Sequence, residues 1–136
     1  MSFIIGIGLE GVRWPHIGID MTEPHIIMED DGYYWFLWPY FERFLTETGE
    51  IINPYENAFL TDDQLPFLQN LLHEAAFQIQ VQSEFWMVAV GIRFTPEREI
   101  VYEAVKRDVF RQLLYDWLQV IERAQALKKP MVCFGD

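Results

Sequence analysis

The fold is decided by residues 108–130, which read DVFRQLLYDWLQVIERAQALKKP. Apolar residues recur there every three or four positions, the spacing that places them on one face of a helix. Asp108 near the start, and Lys128 and Lys129 near the end, complement the helix dipole, and Pro130 stops the helix. We therefore predict a long amphipathic helix. Its main apolar stripe consists of Val109, Leu113, Trp117, Val120, Ala124 and Leu127.

A second helix is predicted in the middle of the chain, after the sequence Thr61-Asp62-Asp63. Such residues cap helices and place negative charge in the first turn. Asp63 is the best cap, because Pro66 then lies in the first turn, where its missing N–H is no loss. The apolar stripe of this helix consists of Leu65, Leu68, Leu72, Ala75 or Ala76, and Ile79.

Five segments outside these helices have the composition of β-strands. Three are short and rich in apolar or alternating residues, and two longer ones flank a proline-containing turn and predict a β-hairpin. Gly91 marks a bulge in the first hairpin strand. The short strands are Phe3–Ile7, His16–Met21 and Met131–Phe134, and the hairpin strands are Phe85–Phe94 and Glu99–Val105.

The segment 33–44 carries eight aromatic residues, and its type is ambiguous. Pro39 disfavours a continuous helix, because it removes a donor and clashes with the preceding turn. One interpretation is an aromatic strand that ends at Leu37, followed by a helix over 39–48. The other is a helix that is capped near Asp31 and kinked at Pro39. A single strand or helix face cannot bury all eight side chains.

The order of these elements predicts one domain, residues 1–136, of the α+β class. Strict alternation of strand and helix, which a doubly wound parallel sheet requires, is missing. We expect two layers: a mixed, mostly antiparallel sheet covered on one face by the two long helices. A chain of 136 residues that is 51% hydrophobic supports one core of this size.

Charge is distributed very unevenly along the chain. Residues 1–63 contain twelve acidic and two basic side chains, a net charge of −10, whereas residues 64–136 contain nine and eight, a net charge of −1. This balance disfavours nucleic-acid binding, which needs Lys and Arg to replace phosphate counterions. It favours a basic protein partner. The first hypothesis for function is accordingly a non-catalytic, acidic protein-binding module.

Two further features indicate where the protein works. The longest uncharged apolar run, Gly32–Phe41, is about half as long as a membrane span, and acidic residues flank it, so no membrane association is expected. The start of the chain lacks the basic region of a secretory signal, and Cys133 has no second cysteine with which to pair. We predict a cytoplasmic protein in which Cys133 acts as a small buried hydrophobe.

The candidate binding surface combines the aromatic segment with the acidic residues beside it. Tyr and Trp supply large contact areas at low entropic cost, and an acidic rim suits a basic partner. The simpler interpretation of the aromatic residues is that they fill the core. The predicted surface consists of Asp30, Asp31, Tyr33, Tyr34, Trp35, Trp38, Tyr40 and Glu42.

Two alternatives remain open. The first is a small metal-dependent enzyme that uses His16, Asp20, His25 and neighbouring carboxylates, although their spacing matches no zinc or calcium pattern. The second is an obligate homo-oligomer with the aromatic segment as its subunit interface. No cofactor is expected: residues 6–11 match G-x-G-x-x-G, but a helix cannot begin at the third glycine.

Parts of the chain resemble a group of small uncharacterised bacterial proteins. The similarity lies in GYYWFLWPYF at 32–41, ETG at 47–49 and PMVCFGD at 130–136. It implies no activity and no functional residues. In size and charge the chain also resembles the immunity proteins of bacterial toxin systems, and this likeness implies inhibition of a partner protein.

Overall fold

A computed structural model describes residues 3–9 and 18–135. These residues form six strands and three α-helices, so the predicted α+β class is confirmed. The strands are β1 (Phe3–Ile7), β2 (His25–Met28), β3 (Ala58–Leu60), β4 (Phe85–Arg93), β5 (Glu99–Lys106) and β6 (Met131–Gly135). The helices are α1 (Asp31–Thr48), α2 (Leu65–Ile79) and α3 (Arg107–Leu127).

The strands form two separate antiparallel sheets rather than the single mixed sheet that we expected. One has four strands in the order β2-β1-β6-β3, and the other is the β4–β5 hairpin. The first and last strands of the chain are neighbours in the larger sheet, where Ile5 pairs with Cys133. Hairpin formation was predicted from two adjacent apolar runs, and the bulge falls at Ala89/Gly91 as expected.

The second strand was predicted at the wrong place. Of the segment His16–Met21, residues 16 and 17 lie outside the described part of the chain, and Ile19 forms only an isolated bridge to Gly8. The strand that pairs with β1 is β2, which follows this segment. The apolar sequence of β2 is only four residues long, too short for its periodicity to stand out.

One face of the four-stranded sheet forms the floor of the core. Phe3 and Ile5 on β1 lie opposite Met28 and Ile26 on β2, and all four side chains are buried. Helix α3 packs across β1, β2 and β6, as predicted, and buries Trp117 at the centre of its stripe. Helix α2 packs mainly on α1 and α3, so the sheet is not covered by two equivalent helices.

The aromatic segment is helical throughout, and its helix continues through Pro39. This outcome matches the second of the two interpretations. The helix ends at Gly49, whose φ of 77° is the left-handed conformation that glycine adopts without strain, and its N–H donates to the Leu45 carbonyl. Three helices rather than two therefore pack in the core.

The N-cap of helix α2 lies one residue further along the chain than predicted. Gln64, not Asp63, occupies the N-cap position, and Asp63 accepts a hydrogen bond from the Thr61 hydroxyl instead. Pro66 lies in the first turn as expected. Among the described residues, no helix is both long enough and apolar enough to cross a membrane.

Candidate functional site

The predicted acidic residues Asp30 and Asp31 lie at the start of α1. Asp30 is exposed at the N-cap position, and its side chain makes no capping hydrogen bond. The cap comes from the hairpin: Gly32 N–H donates to Glu103 Oε2 at 3.0 Å. A carboxylate at this end of a helix is stabilised by the helix dipole. The hairpin is therefore fixed to α1 by a polar contact.

Tyr33 and Tyr34, two residues of the predicted binding surface, are buried. The Tyr34 hydroxyl donates to the Ile52 carbonyl at 2.8 Å, and the Tyr33 hydroxyl accepts from Lys106 N–H at 3.2 Å. Burial raises the pKa of Tyr34 well above its ordinary value. These two side chains are part of the core, so their assignment to an exposed binding surface was wrong.

Trp35, Trp38 and Tyr40 are half-buried. Trp35 packs edge-on against Tyr34, with ring centroids 5.1 Å apart, and burial raises the pKa of Tyr40. Only part of each ring faces outward. The aromatic segment therefore serves mainly as core, because α1 has neighbours on several sides.

The predicted residues do not form one continuous patch. Asp30 and Glu42 are twelve residues apart, and since Asp30 caps α1 and Glu42 lies inside it, about 18 Å of helix separates them. The acidic start of α1 and its acidic carboxyl-terminal half are thus different surfaces. Any partner that contacts both must be large.

Glu42 lies at a groove between α1 and the start of α2, which we call the acidic groove. Pro39 and Phe67 form its apolar part, and Phe67 stacks on Phe44 with ring centroids 6.0 Å apart. Exposed carboxylates surround these apolar atoms. The groove is lined by Pro39, Glu42, Arg43, Thr46, Glu47, Thr48, Asp63, Gln64 and Phe67.

The one basic residue that lines this groove, Arg43, is already paired with Glu74. Arg43 donates to both carboxylate oxygens of Glu74, at 3.2 and 3.0 Å, and this contact raises the pKa of Arg43. Its charge is therefore offset locally. Glu42, Glu47 and Asp63 leave the groove with an excess of negative charge. Sequence reasoning placed Glu42 in the binding surface but not Glu47, which lies five residues further along α1, nor Asp63, which only folding brings beside them.

The residues of the metal hypothesis are not gathered into a site within the described residues. His16 lies outside them. The Asp20 carboxylate accepts from the Thr22 hydroxyl and N–H, and these bonds lower the pKa of Asp20. His25 Nδ1 lies 2.9 Å from the Glu23 carbonyl oxygen. The described ranges contain no group of three His, Cys, Asp or Glu side chains placed to hold a metal ion.

Cys133 lies in the core, on the strand that pairs with both β1 and β3. Its side chain is fully buried, and this burial raises the pKa of the thiol far above its ordinary value, with a smaller contribution from Glu50. A protonated, inaccessible thiol is a poor nucleophile. The prediction that this cysteine is a buried hydrophobe is confirmed.

The hairpin carries an exposed apolar surface that sequence reasoning did not single out. Its inner face packs against α1 and α3, where Trp86 stacks on Phe110 and meets Phe36 edge-on. On the opposite side, six large apolar side chains are between 46% and 70% exposed. We call this side the outer hairpin face. It consists of Phe85, Met87, Ile92, Phe94, Ile100 and Tyr102.

Comparison with known proteins gave no match: no protein-family model, curated protein or solved structure is similar to this chain. The resemblance to small bacterial proteins and to immunity proteins therefore stays a prediction.

Proposed function

We propose that this protein is a non-catalytic, acidic protein-binding module that recognises a basic protein partner through the acidic groove. An immunity-like or inhibitory role is the sharpest form of this proposal, since the module would act by covering part of its partner. The observation that carries the proposal is the set of exposed carboxylates around an apolar floor.

The chemistry of the groove suits a lysine or arginine side chain. The aliphatic stem of such a side chain lies favourably on apolar surface, here Pro39 and Phe67, while its charged end stays in a polar environment. Glu42, Glu47 and Asp63 provide that environment. An arginine also stacks well on an aromatic ring such as Phe67.

The charge of the whole chain supports the same partner at longer range. The net charge of −11 attracts a basic protein and speeds its association, and salt screens this attraction. The groove supplies short-range contacts, whereas the remaining acidic residues steer the encounter. Binding should therefore weaken as the salt concentration rises.

A charge-reversal experiment tests this proposal. Wild-type protein and the double variant Glu42→Lys/Glu47→Lys are used as bait in lysate of the encoding organism, at 50 and 300 mM NaCl. We expect wild type to capture one stoichiometric basic protein, with less recovered at high salt. The double variant should lose it, because a complex of this kind loses about tenfold or more in affinity when close charge pairs are reversed.

The matched control is Glu122→Lys. Glu122 is an exposed carboxylate on α3, outside the groove. Its reversal reduces the net charge but leaves the groove intact, so binding should weaken only slightly. Equal losses for the control and the double variant, or capture that both substitutions leave unchanged, would show that the acidic groove is not the recognition surface.

A further inference from the structure

The outer hairpin face is built like the interior of a protein, yet one side of it is uncovered. Strands covered on both faces have nearly continuous apolar sequences, whereas a strand with one solvated face alternates apolar and polar residues. Strand β4 reads FWMVAVGIR, which is the first pattern. Within the described residues, only its inner face is packed against the rest of the chain.

We propose that the outer hairpin face binds the same face of a second copy of this chain, which gives a symmetric dimer. This surface is distinct from the acidic groove, and the proposal does not depend on the function proposed for the groove. It also differs from an interface made by the aromatic segment, because that segment lies in the core.

Local charge is the first argument for a second copy as the occupant. Between Phe85 and Lys106 the chain has three acidic and three basic residues, so the hairpin is neutral although the chain carries −11. The excess negative charge lies elsewhere. Two copies can therefore meet at this face without close contacts between like charges. The face has no excess of carboxylates that would favour a basic partner instead.

Area is the second argument. Large side chains of this kind each offer on the order of 200 Å², and at the observed exposures the six together leave roughly 600 Å² of apolar surface uncovered. A monomer rarely shows a larger patch. Pairing two such faces removes about 1,200 Å² from water, which reaches the lower limit of stable, specific interfaces.

Shape is the third argument. The exposed small residues Ala89 and Ala104 lie opposite Tyr102 and Met87 in the ladder, so large and small side chains alternate across the face. A two-fold axis through the face can place the large side chains of one copy over the alanines of the other. Interdigitation of this kind is how two sheets pack face to face.

The test is sedimentation velocity of the wild-type chain between 1 and 100 µM. We expect a dimer at the higher concentrations. Tyr102→Glu should raise the dissociation constant by about 100-fold or more, since the substitution buries a charge twice in a symmetric interface. The matched control is Tyr115→Glu, because Tyr115 on α3 is as exposed as Tyr102 but lies outside the hairpin. It should leave the dimer unchanged.

Circular dichroism establishes that both variants are folded, which is expected because each side chain is more than half exposed. Salt separates this dimer from the groove complex. Raising NaCl to 500 mM screens the repulsion between two acidic chains, so the dimer should persist or strengthen. The Glu42→Lys/Glu47→Lys variant should also remain dimeric. A wild-type monomer at 100 µM and 500 mM NaCl, or an unchanged dimer in Tyr102→Glu, would overturn the proposal.

Discussion

The four-stranded sheet and the β4–β5 hairpin are both antiparallel and rich in apolar residues, but the apolar side chains of the hairpin are much more exposed. On β1, Phe3, Ile5 and Ile7 point into the core and are completely buried. On β4, Phe85 and Met87 point away from the core and are mostly exposed. The sheet is part of the core, whereas the hairpin attaches to the core by one face only.

Because of this difference, substitutions in the sheet should mainly affect stability, whereas substitutions on the outer hairpin face should mainly affect association. Side chains on the core face of the sheet are held between β-strands and α3, so their loss leaves a cavity. Those on the outer hairpin face touch little in the isolated chain, so their loss should change association rather than folding. Substitutions in the two regions should therefore differ in how much they change the free energy of unfolding.

The largest effect is expected for Trp117→Ala. Trp117 is fully buried on α3 and packs against Phe41, with ring centroids 5.7 Å apart. Truncation should lower the free energy of unfolding by about 3–5 kcal/mol, because it removes apolar contacts and leaves a cavity. Urea unfolding at 1 µM protein measures the loss.

The hairpin counterpart is Phe85→Ala, whose side chain is 62% exposed. At 1 µM it should change the free energy of unfolding by about 0.5 kcal/mol or less. At 100 µM, where the dimer contributes to stability, the effect should grow. A loss at 1 µM as large as that of Trp117→Ala would show that the two regions do not differ as described.

An intermediate effect is expected where helix α1 meets the hairpin. A Cβ atom at Gly32 would lie 2.7 Å from Cγ1 of Val105, a buried and stiff side chain on β5. Gly32→Ala should therefore push the hairpin away from α1 and lower the free energy of unfolding by about 1–3 kcal/mol.

Gly91→Ala is the control for that substitution, because a Cβ atom there has no neighbour within 4 Å. Urea unfolding of the two variants, monitored by tryptophan fluorescence, compares them. If Gly32→Ala is as stable as Gly91→Ala, the close approach of α1 to the hairpin does not constrain the fold.

The smallest effect concerns an ion pair between the segment just before β2 and helix α3. Arg123 Nε lies 2.8 Å from Glu23 Oε2, and this hydrogen bond is the main reason why the pKa of Glu23 is lowered. A lowered pKa stabilises the fold above the ordinary value of 4.5, and the stabilisation is lost as pH falls through the folded-state pKa.

Arg123→Gln should accordingly be slightly less stable than wild type at pH 7, and this difference should be smaller at pH 3, below the ordinary pKa of Glu23. Urea unfolding at both pH values measures it, with Arg98→Gln, a substitution in the hairpin turn, as the control. A difference of the same size at pH 3 would show that packing of the Arg123 side chain, rather than charge, stabilises the contact.

Much of the fold could be predicted because its signals are local. Helix α3, the proline that follows it and the bulged hairpin depend on residues close together in sequence, and all appear at or near the predicted positions. Of the predicted stripe of α3, Trp117, Val120 and Ala124 are buried, whereas Val109 is exposed. The position of β2 along the chain and the separation of the hairpin from the larger sheet were not predictable. They depend on which distant segments pack together.

The candidate site shows the same division. The sequence indicated an acidic first half, but it grouped Asp30, Tyr33, Tyr34 and Glu42 because they are neighbours in the chain. Helix geometry instead buries Tyr33 and Tyr34 and separates Asp30 from Glu42. Glu47 lies in α1 and Asp63, sixteen residues later, just precedes α2, so the two line one groove only after α2 packs against α1.

Composition and periodicity alone determined that this chain is acidic, that it belongs to the α+β class and that it contains long amphipathic helices. These properties follow from local periodicity and net charge, which do not depend on distant contacts. Tertiary structure alone decided which apolar residues remain outside the core. The rest of the chain packs against only one face of the hairpin. Strand β4 has the apolar sequence of a strand that is covered on both faces, and its second face therefore remains exposed.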